Sequence, residues 1–172
     1  MSLRRPVFFT GQVLSAELLA AEQRYHLERV RRAVLATAGP GVVDGLDVRC
    51  RRSDVVVSPG VAIDCLGDVH EVPAPGATLA LPPIDTAPRW VLLTPIERPG
   101  GHMPAPWGGD PVASFIEEDV ALAIVATNPA RGHRRDRRRV IPCGHAHGVC
   151  LARLTVRAGR WRVDPTWRPL RT

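Results

Sequence analysis

The chain has 172 residues, a hydrophobic content of 45% and a formal net charge of +6. This length suits one domain with an appendage, and the composition argues against wholesale disorder. No apolar run reaches the ~18 residues that a transmembrane helix needs. The basic pair near the start precedes too little apolar sequence for a signal peptide, so we expect a cytoplasmic protein that does not insert into a membrane.

The first predicted element is one long amphipathic helix. Ser15 is placed to cap it, no Gly or Pro interrupts it from Ala16 to about Ala38, and Gly39-Pro40-Gly41 end it. A helix of ~23 residues is ~34 Å long. Two apolar stripes run along it, one of Leu19, Leu27, Val30 and Val34, the other of Leu18, Ala21 and Tyr25. Two stripes predict packing both on the helix's own domain and on something else.

After Gly41 the sequence changes to short β-branched runs separated by Pro, Gly and Asp. Turn signals every ~8–12 residues are typical of an antiparallel sandwich or a small barrel. The predicted fold is therefore mainly β with one N-terminal helix. The predicted strands are 42–48, 54–58, 61–65, 69–72, 77–81, 89–96, 120–126, 149–157 and 161–164.

Two stretches of the β domain are predicted to be loops. Gly and Pro make a regular element unexpected at 97–112, and 128–148 carries clustered Arg, Cys and His. Trp107, in the first loop, is predicted either to contact a partner or to anchor the loop on the domain. The chain thus divides into an arm with a docking helix, 1–41, and a β domain, 42–172.

The positive charge is concentrated in one segment, 131–139, here called the basic loop. It holds six Arg and one Asp, which give +5 of the net +6. No aromatic residue interleaves to form a base-stacking platform. We therefore expect a solvated loop or a protein-contact patch rather than a site for nucleic acid or another acidic surface. Its arginines are Arg131, Arg134, Arg135, Arg137, Arg138 and Arg139.

One cluster has the residue types of a metal site, Cys143, His145, His147 and Cys150. Two Cys and two His are able to close a tetrahedral zinc site. The spacing lacks the usual Cys-x-x-Cys, however, so a disulfide or free thiols beside a flexible His loop remain the alternative. His133, Cys50 and Cys65 are possible substitutes. We expect no cofactor apart from this possible structural zinc.

Catalytic patterns are sparse. The acidic run 117–119 fits a solvated strand edge, and Asp64, Asp68 and His70 fit ordinary turn chemistry. No phosphate loop, dinucleotide fingerprint or Ser-centred elbow is present in the sequence. We therefore predict that the protein is not an enzyme, and a small hydrolase is the weakest of the function classes considered.

The N-terminal half carries a pattern in three parts. These parts read F-F-x-G-Q-x-L-x-A-x-x-L-x-x-E-Q-x-Y, then G-x-G-V-V-x-G-L-x-V, then V-x-V-x-P-G-x-A-x-D-x-x-G. The matching residues include Phe8, Phe9, Gly11, Gln12, Leu14, Leu19, Tyr25, Gly45, Gly60 and Gly67. Over residues 7–72 this pattern resembles a family encoded beside phage-tail-like contractile injection systems, in the baseplate or fibre region.

The resemblance implies a structural assembly subunit in or near the baseplate of such a particle. Its partners would be other baseplate or tail proteins, with several copies per particle and no nucleic acid. The residues predicted to dock on a neighbour are Phe8, Phe9, Leu14, Leu19, Tyr25, Val30 and Trp107. The alternative is a fibre-like adaptor or binding module that contacts a cell surface or envelope partner through Trp107 and the basic loop.

Overall fold

The computed structural model describes residues 3–105, 108–129, 135–136, 139–140 and 142–172, with the backbone alone at 135–136 and 139–140. Within these ranges the fold is mainly antiparallel β with one helix at the N-terminus, as the sequence predicted.

The helix α1 spans Ala16–Thr37. Ser15 caps its start, because the Ser15 Oγ accepts a hydrogen bond from the Leu18 N–H at 3.3 Å. At the other end the Ala38 N–H donates to the Val34 carbonyl at 2.9 Å, and Gly39 follows with φ +79°. None of the helical residues is buried. In the part of the chain that the model describes, no helix is apolar and long enough to span a bilayer.

Twelve strands follow in the described part of the chain. They are β1 (Gly41–Gly45), β2 (Val48–Cys50), β3 (Asp54–Val57), β4 (Gly60–Ile63), β5 (Val69–Val72), β6 (Ala77–Ala80), β7 (Arg89–Met103), β8 (Val112–Val125), β9 (Arg135–Asp136), β10 (Arg139–Val140), β11 (Val149–Arg157) and β12 (Arg160–Val163).

The strands pair into three larger sheets and one short ladder. The sheet orders are β1-β4-β5, β2-β3-β6 and β12-β11-β7-β8, and β9 pairs with β10. The pairs within these sheets are all antiparallel. The three larger sheets, here called the β body together with their connections, share one hydrophobic core. Its largest fully buried side chains are Leu93, Leu154, Val42, Val55, Val57 and Val91.

The predicted loop at 97–112 was wrong for most of its length. β7 continues to Met103 and β8 begins at Val112, so the two strands form a long hairpin. Beyond Leu93 no β11 residue pairs with β7, so among the described strands this side of β7 has no paired neighbour. Pro95 and Pro99 have no backbone N–H to donate to a neighbouring strand. Proline is tolerated in a strand whose side has no paired neighbour. The Phe115 ring covers Gly100 and Gly101 across the ladder, which compensates for two glycines in a strand.

Candidate functional site

The N-terminal arm, residues 3–40, exposes most of the apolar side chains that were predicted to dock. Phe8 is 45% exposed, Phe9 69% and Leu14 54%. On α1, Leu19 is 47% and Val30 58% exposed. Large apolar side chains gain free energy when they leave water. Their exposure here makes the arm the first candidate for a contact surface.

Two further residues, Tyr25 and Trp107, were predicted to dock. Tyr25 is half-buried, and its ring meets the His26 ring edge-on at 5.4 Å between centroids. Trp107 lies outside the described residues. Sequence reasoning overlooked Val7 and Val13, which are both strongly exposed on the same arm. They could have been predicted from the sequence, because each is an apolar residue next to a residue of the aromatic and apolar pattern.

A tight turn gives the arm a defined shape before the helix. The Gln12 N–H donates to the Phe9 carbonyl at 3.1 Å, and the Phe9 N–H donates to Gln12 Oε1 at 3.2 Å. Gly11 lies between them with φ +88°, a conformation that side chains disfavour. The Gly-Gln pair of the sequence pattern therefore closes the turn that follows the two aromatic residues.

One ion pair fastens the helix to the β body. Arg31 Nε and Nη2 donate to the two Asp68 carboxylate oxygens, each at 2.6 Å. The bidentate hydrogen bond to Asp68 raises the pKa of the Arg31 guanidinium. The preceding residue, Gly67, lies so close that a Cβ there would come within 2.5 Å of the Arg31 carbonyl oxygen. The helix therefore touches the body at the turn between β4 and β5.

A second exposed apolar surface lies on the β7–β8 hairpin. The segments Glu97–Met103 and Val112–Glu118 form its outer part, here called the distal hairpin, and nearly all of their side chains are exposed. Sequence reasoning missed this surface, because it treated the region as a loop. Its exposed apolar side chains are Met103, Val112, Phe115 and Ile116.

The basic loop is only partly described. Arg135 lies in β9 and Arg139 in β10, and their backbones pair as Val140↔Arg135 and Arg139↔Asp136. Their side chains, together with Arg131, Arg134, Arg137 and Arg138, lie outside the described residues. The expectation of a solvated or protein-contacting loop therefore stays a prediction.

Only two of the four Cys/His residues predicted as a metal cluster belong to the group with ligand spacing. Cys143 and His147 converge with Cys65, and the three donor atoms all lie within 4.8 Å of one another. Cys150 is buried on β11 outside this group, and burial raises the pKa of its thiol to about 12. His145 is exposed and is also outside the group. The second cysteine of the group is Cys65, which the sequence offered as a substitute ligand, and not Cys150.

The turn that carries Cys65 is rigidly built. Asp64 Oδ1 accepts hydrogen bonds from the N–H groups of Leu66, Gly67 and Asp68, and Asp64 Oδ2 lies 3.2 Å from His70 Nε2. Burial opposes ionisation of Asp64, but the hydrogen bonds from His70 and the backbone outweigh it and lower the pKa of the carboxyl. These contacts match the turn chemistry predicted for Asp64, Asp68 and His70.

No protein-family model and no curated protein matches the sequence. The fold is similar to a chain of the type VI secretion system baseplate complex, at 13% identity and a TM-score of 0.55, over 98% of this chain and 60% of that one. It is also similar to the crystal structure of TssK, at 14% identity and a TM-score of 0.56, over 98% and 42%.

A third similar structure is the TssK-TssF-TssG baseplate subcomplex of the type VI secretion system. The match has 14% identity and a TM-score of 0.51, and it covers 98% of this chain and 62% of that one. The protein therefore spans less than two thirds of the length of these three chains. At such low identity the likeness establishes a shared fold, which includes the arm and helix as well as the β body.

Proposed function

We propose that the protein is a structural assembly subunit of a phage-tail-like contractile injection particle, in or near its baseplate. In this role the N-terminal arm, which includes α1, docks on a neighbouring baseplate protein of the same particle. The observation that carries the proposal is the set of exposed apolar side chains on the arm. None of the residues in its helix is buried.

The chemistry of the arm indicates what kind of partner fits. Phe8, Phe9 and Leu14 present two aromatic rings and a branched aliphatic side chain within seven positions of the sequence. Aromatic side chains supply large contact areas at protein interfaces. The matching surface would be an apolar groove on another protein, rather than a membrane or a nucleic acid. Such a contact should respond weakly to ionic strength, because it does not depend on exposed charges.

The fold likeness supports the same assignment. The three similar structures include two baseplate assemblies and TssK. Within the chain, the buried Asp64–His70 pair is occupied in holding a turn, and Asp68 is occupied by Arg31. These three polar residues thus have structural tasks, which favours an assembly role over an enzymatic one.

The proposal is tested by a triple substitution, Phe8→Ser, Phe9→Ser and Leu14→Ser, in the producing cells, with an affinity tag on a flexible linker after Thr172. Loss of three anchors should reduce the amount of protein in purified particles about tenfold or more, since each ~1.4 kcal/mol of lost contact energy is a factor of ten in affinity. Particles are quantified by mass spectrometry and negative-stain imaging.

A matched control keeps the number and type of changes but moves them off the arm. Val43, Val69 and Ile84 are exposed apolar residues of the β body, and their triple replacement by Ser should leave incorporation unchanged. Thermal unfolding of each purified variant shows whether the body is intact. Normal incorporation of the arm variant, or equal loss in both variants, would contradict docking through the arm. Failure of the wild-type protein to accompany particle proteins would contradict the assembly role itself.

A further inference from the structure

We propose that Cys65, Cys143 and His147 bind one Zn²⁺ ion. None of its residues belongs to the arm, so zinc binding can be tested separately from the assembly role. Its two halves come from distant parts of the sequence: Cys65 follows β4, and Cys143 and His147 precede β11.

The spacing of the donor atoms fits a tetrahedral ion. Cys143 Sγ lies 3.2 Å from His147 Nε2, and all three donor atoms are within 4.8 Å of one another. In a tetrahedral site with Zn–S near 2.3 Å and Zn–N near 2.0 Å, neighbouring donor atoms are about 3.5–3.8 Å apart. Small side-chain adjustments would therefore bring all three donors to bonding distance.

The histidine is oriented for this task. His147 Nδ1 lies 2.9 Å from the Gly148 carbonyl oxygen. A carbonyl only accepts, so Nδ1 carries the proton and Nε2 presents its lone pair on the side of Cys143. Zinc-binding histidines commonly donate their second ring nitrogen to a carbonyl or carboxylate, which fixes the tautomer and the ring orientation.

The first cysteine is held in place before any ion arrives. Cys65 is buried, and the preceding Asp64 carboxylate receives three backbone N–H groups of the turn that Cys65 belongs to. Its backbone position is therefore fixed by the β4–β5 turn rather than by the exposed segment that brings Cys143. One ligand, Cys65, is held rigidly, and the other two, Cys143 and His147, lie on a surface segment. A bound ion would link this segment to the turn.

The donor set selects the kind of ion. Two thiolates and one imidazole suit Zn²⁺ and disfavour Mg²⁺ and Ca²⁺, which prefer oxygen ligands. Both thiols release a proton when the metal binds. Of the described Cys, His, Asp and Glu residues, these three form the group with ligand spacing. The described residues supply three ligands, and a solvent molecule would complete the tetrahedron around them.

The site would tie the segment 142–148 to the β4–β5 turn. That same turn carries Gly67 and Asp68, which contact the helix. A metal here would therefore stabilise the point at which the arm joins the β body, in addition to the surface segment itself.

The test is a metal measurement on the full-length protein, purified without chelator and with a tag free of histidine. Elemental analysis should find about one zinc per chain. Cys65→Ala and His147→Ala should each lose it, whereas Cys150→Ala and Cys50→Ala should keep it. The comparison of Cys65→Ala with Cys150→Ala is decisive, since a site of Cys143, His145, His147 and Cys150, the first set predicted from the sequence, requires the opposite result.

Two further measurements guard against variants that fail to fold. Circular dichroism compares each variant with the wild type, and Cys65→Ser replaces Cys65→Ala if the latter unfolds. Cobalt(II) added to the metal-free wild type should produce thiolate-to-cobalt charge-transfer absorption, which Cys65→Ser should weaken. A wild type without zinc that does not bind cobalt would overturn the proposal. So would a Cys65–Cys143 disulfide in protein that was purified and alkylated under cytoplasmic redox conditions.

Discussion

Leu93 on β7 and Leu19 on α1 are the same residue type in opposite environments. Leu93 is fully buried in the core shared by three sheets, whereas nearly half of the Leu19 side chain faces solvent. Burial of a Leu side chain contributes about 1.5–3 kcal/mol to stability. The β body therefore supplies its own stability, and the arm keeps much of its apolar surface available for a contact outside the chain.

The junction between the two regions is small and specific. It combines the bidentate Arg31–Asp68 pair with the close approach of Gly67 to the helix backbone. No α1 residue is fully buried, but Leu18, Tyr25 and Val34 are half-buried, so apolar packing from the helix side is only partial. The Arg31–Asp68 pair acts together with this partial packing to position the helix on the β body.

The largest expected difference is between truncations in the two regions. Leu93→Ala should lower the free energy of unfolding by about 2–5 kcal/mol, because it removes buried methyl groups and leaves a cavity. Leu19→Ala should change it by less than about 1 kcal/mol, because nearly half of the side chain is already in water and Ala favours helix. Urea unfolding of both variants measures this, and equal losses would refute the division between body and arm.

A smaller effect is expected at the junction. Gly67→Ala should lower the free energy of unfolding by about 1–3 kcal/mol, since φ is +97° and the new Cβ would meet the Arg31 carbonyl. Gly109→Ala is the matched control, because φ is +108° and no atom of the described residues lies within 4 Å of the added Cβ. The excess loss at Gly67 isolates the helix contact. Equal losses would mean that backbone conformation alone accounts for the effect.

The smallest effect concerns the ion pair itself. A double-mutant cycle with Arg31→Ala and Asp68→Ala should give a coupling of about 1 kcal/mol, because the pair is bidentate and about three-quarters buried. The more exposed Arg98–Asp119 pair, at 3.4 Å, should couple by about 0.2 kcal/mol. Both couplings are measured by urea unfolding at low and high salt. A stronger coupling in the exposed pair would contradict the role of Arg31 as the anchor.

Elements with a local signature were predicted well. The cap, length and end of α1 follow from Ser15, an uninterrupted helical run and Gly39. The last hairpin turns at Ala158 and Gly159, both with positive φ, in the gap between the predicted strands 149–157 and 161–164. The distal hairpin was missed because glycine and proline signal a break locally. Its ladder is permitted by a side of β7 that has no paired neighbour among the described strands and by Phe115 on the opposite strand.

Local sequence was enough to predict the helix, the short strands of an antiparallel fold and the apolar character of the arm. These follow from side-chain period, capping and turn residues, all of which act over a few positions. Three features depend instead on the packing of distant segments: Arg31 meets Asp68, Cys65 rather than Cys150 joins Cys143 and His147, and the apolar side chains of the arm stay exposed. Such contacts join residues far apart in the chain, so they depend on how the sheets pack around their common core.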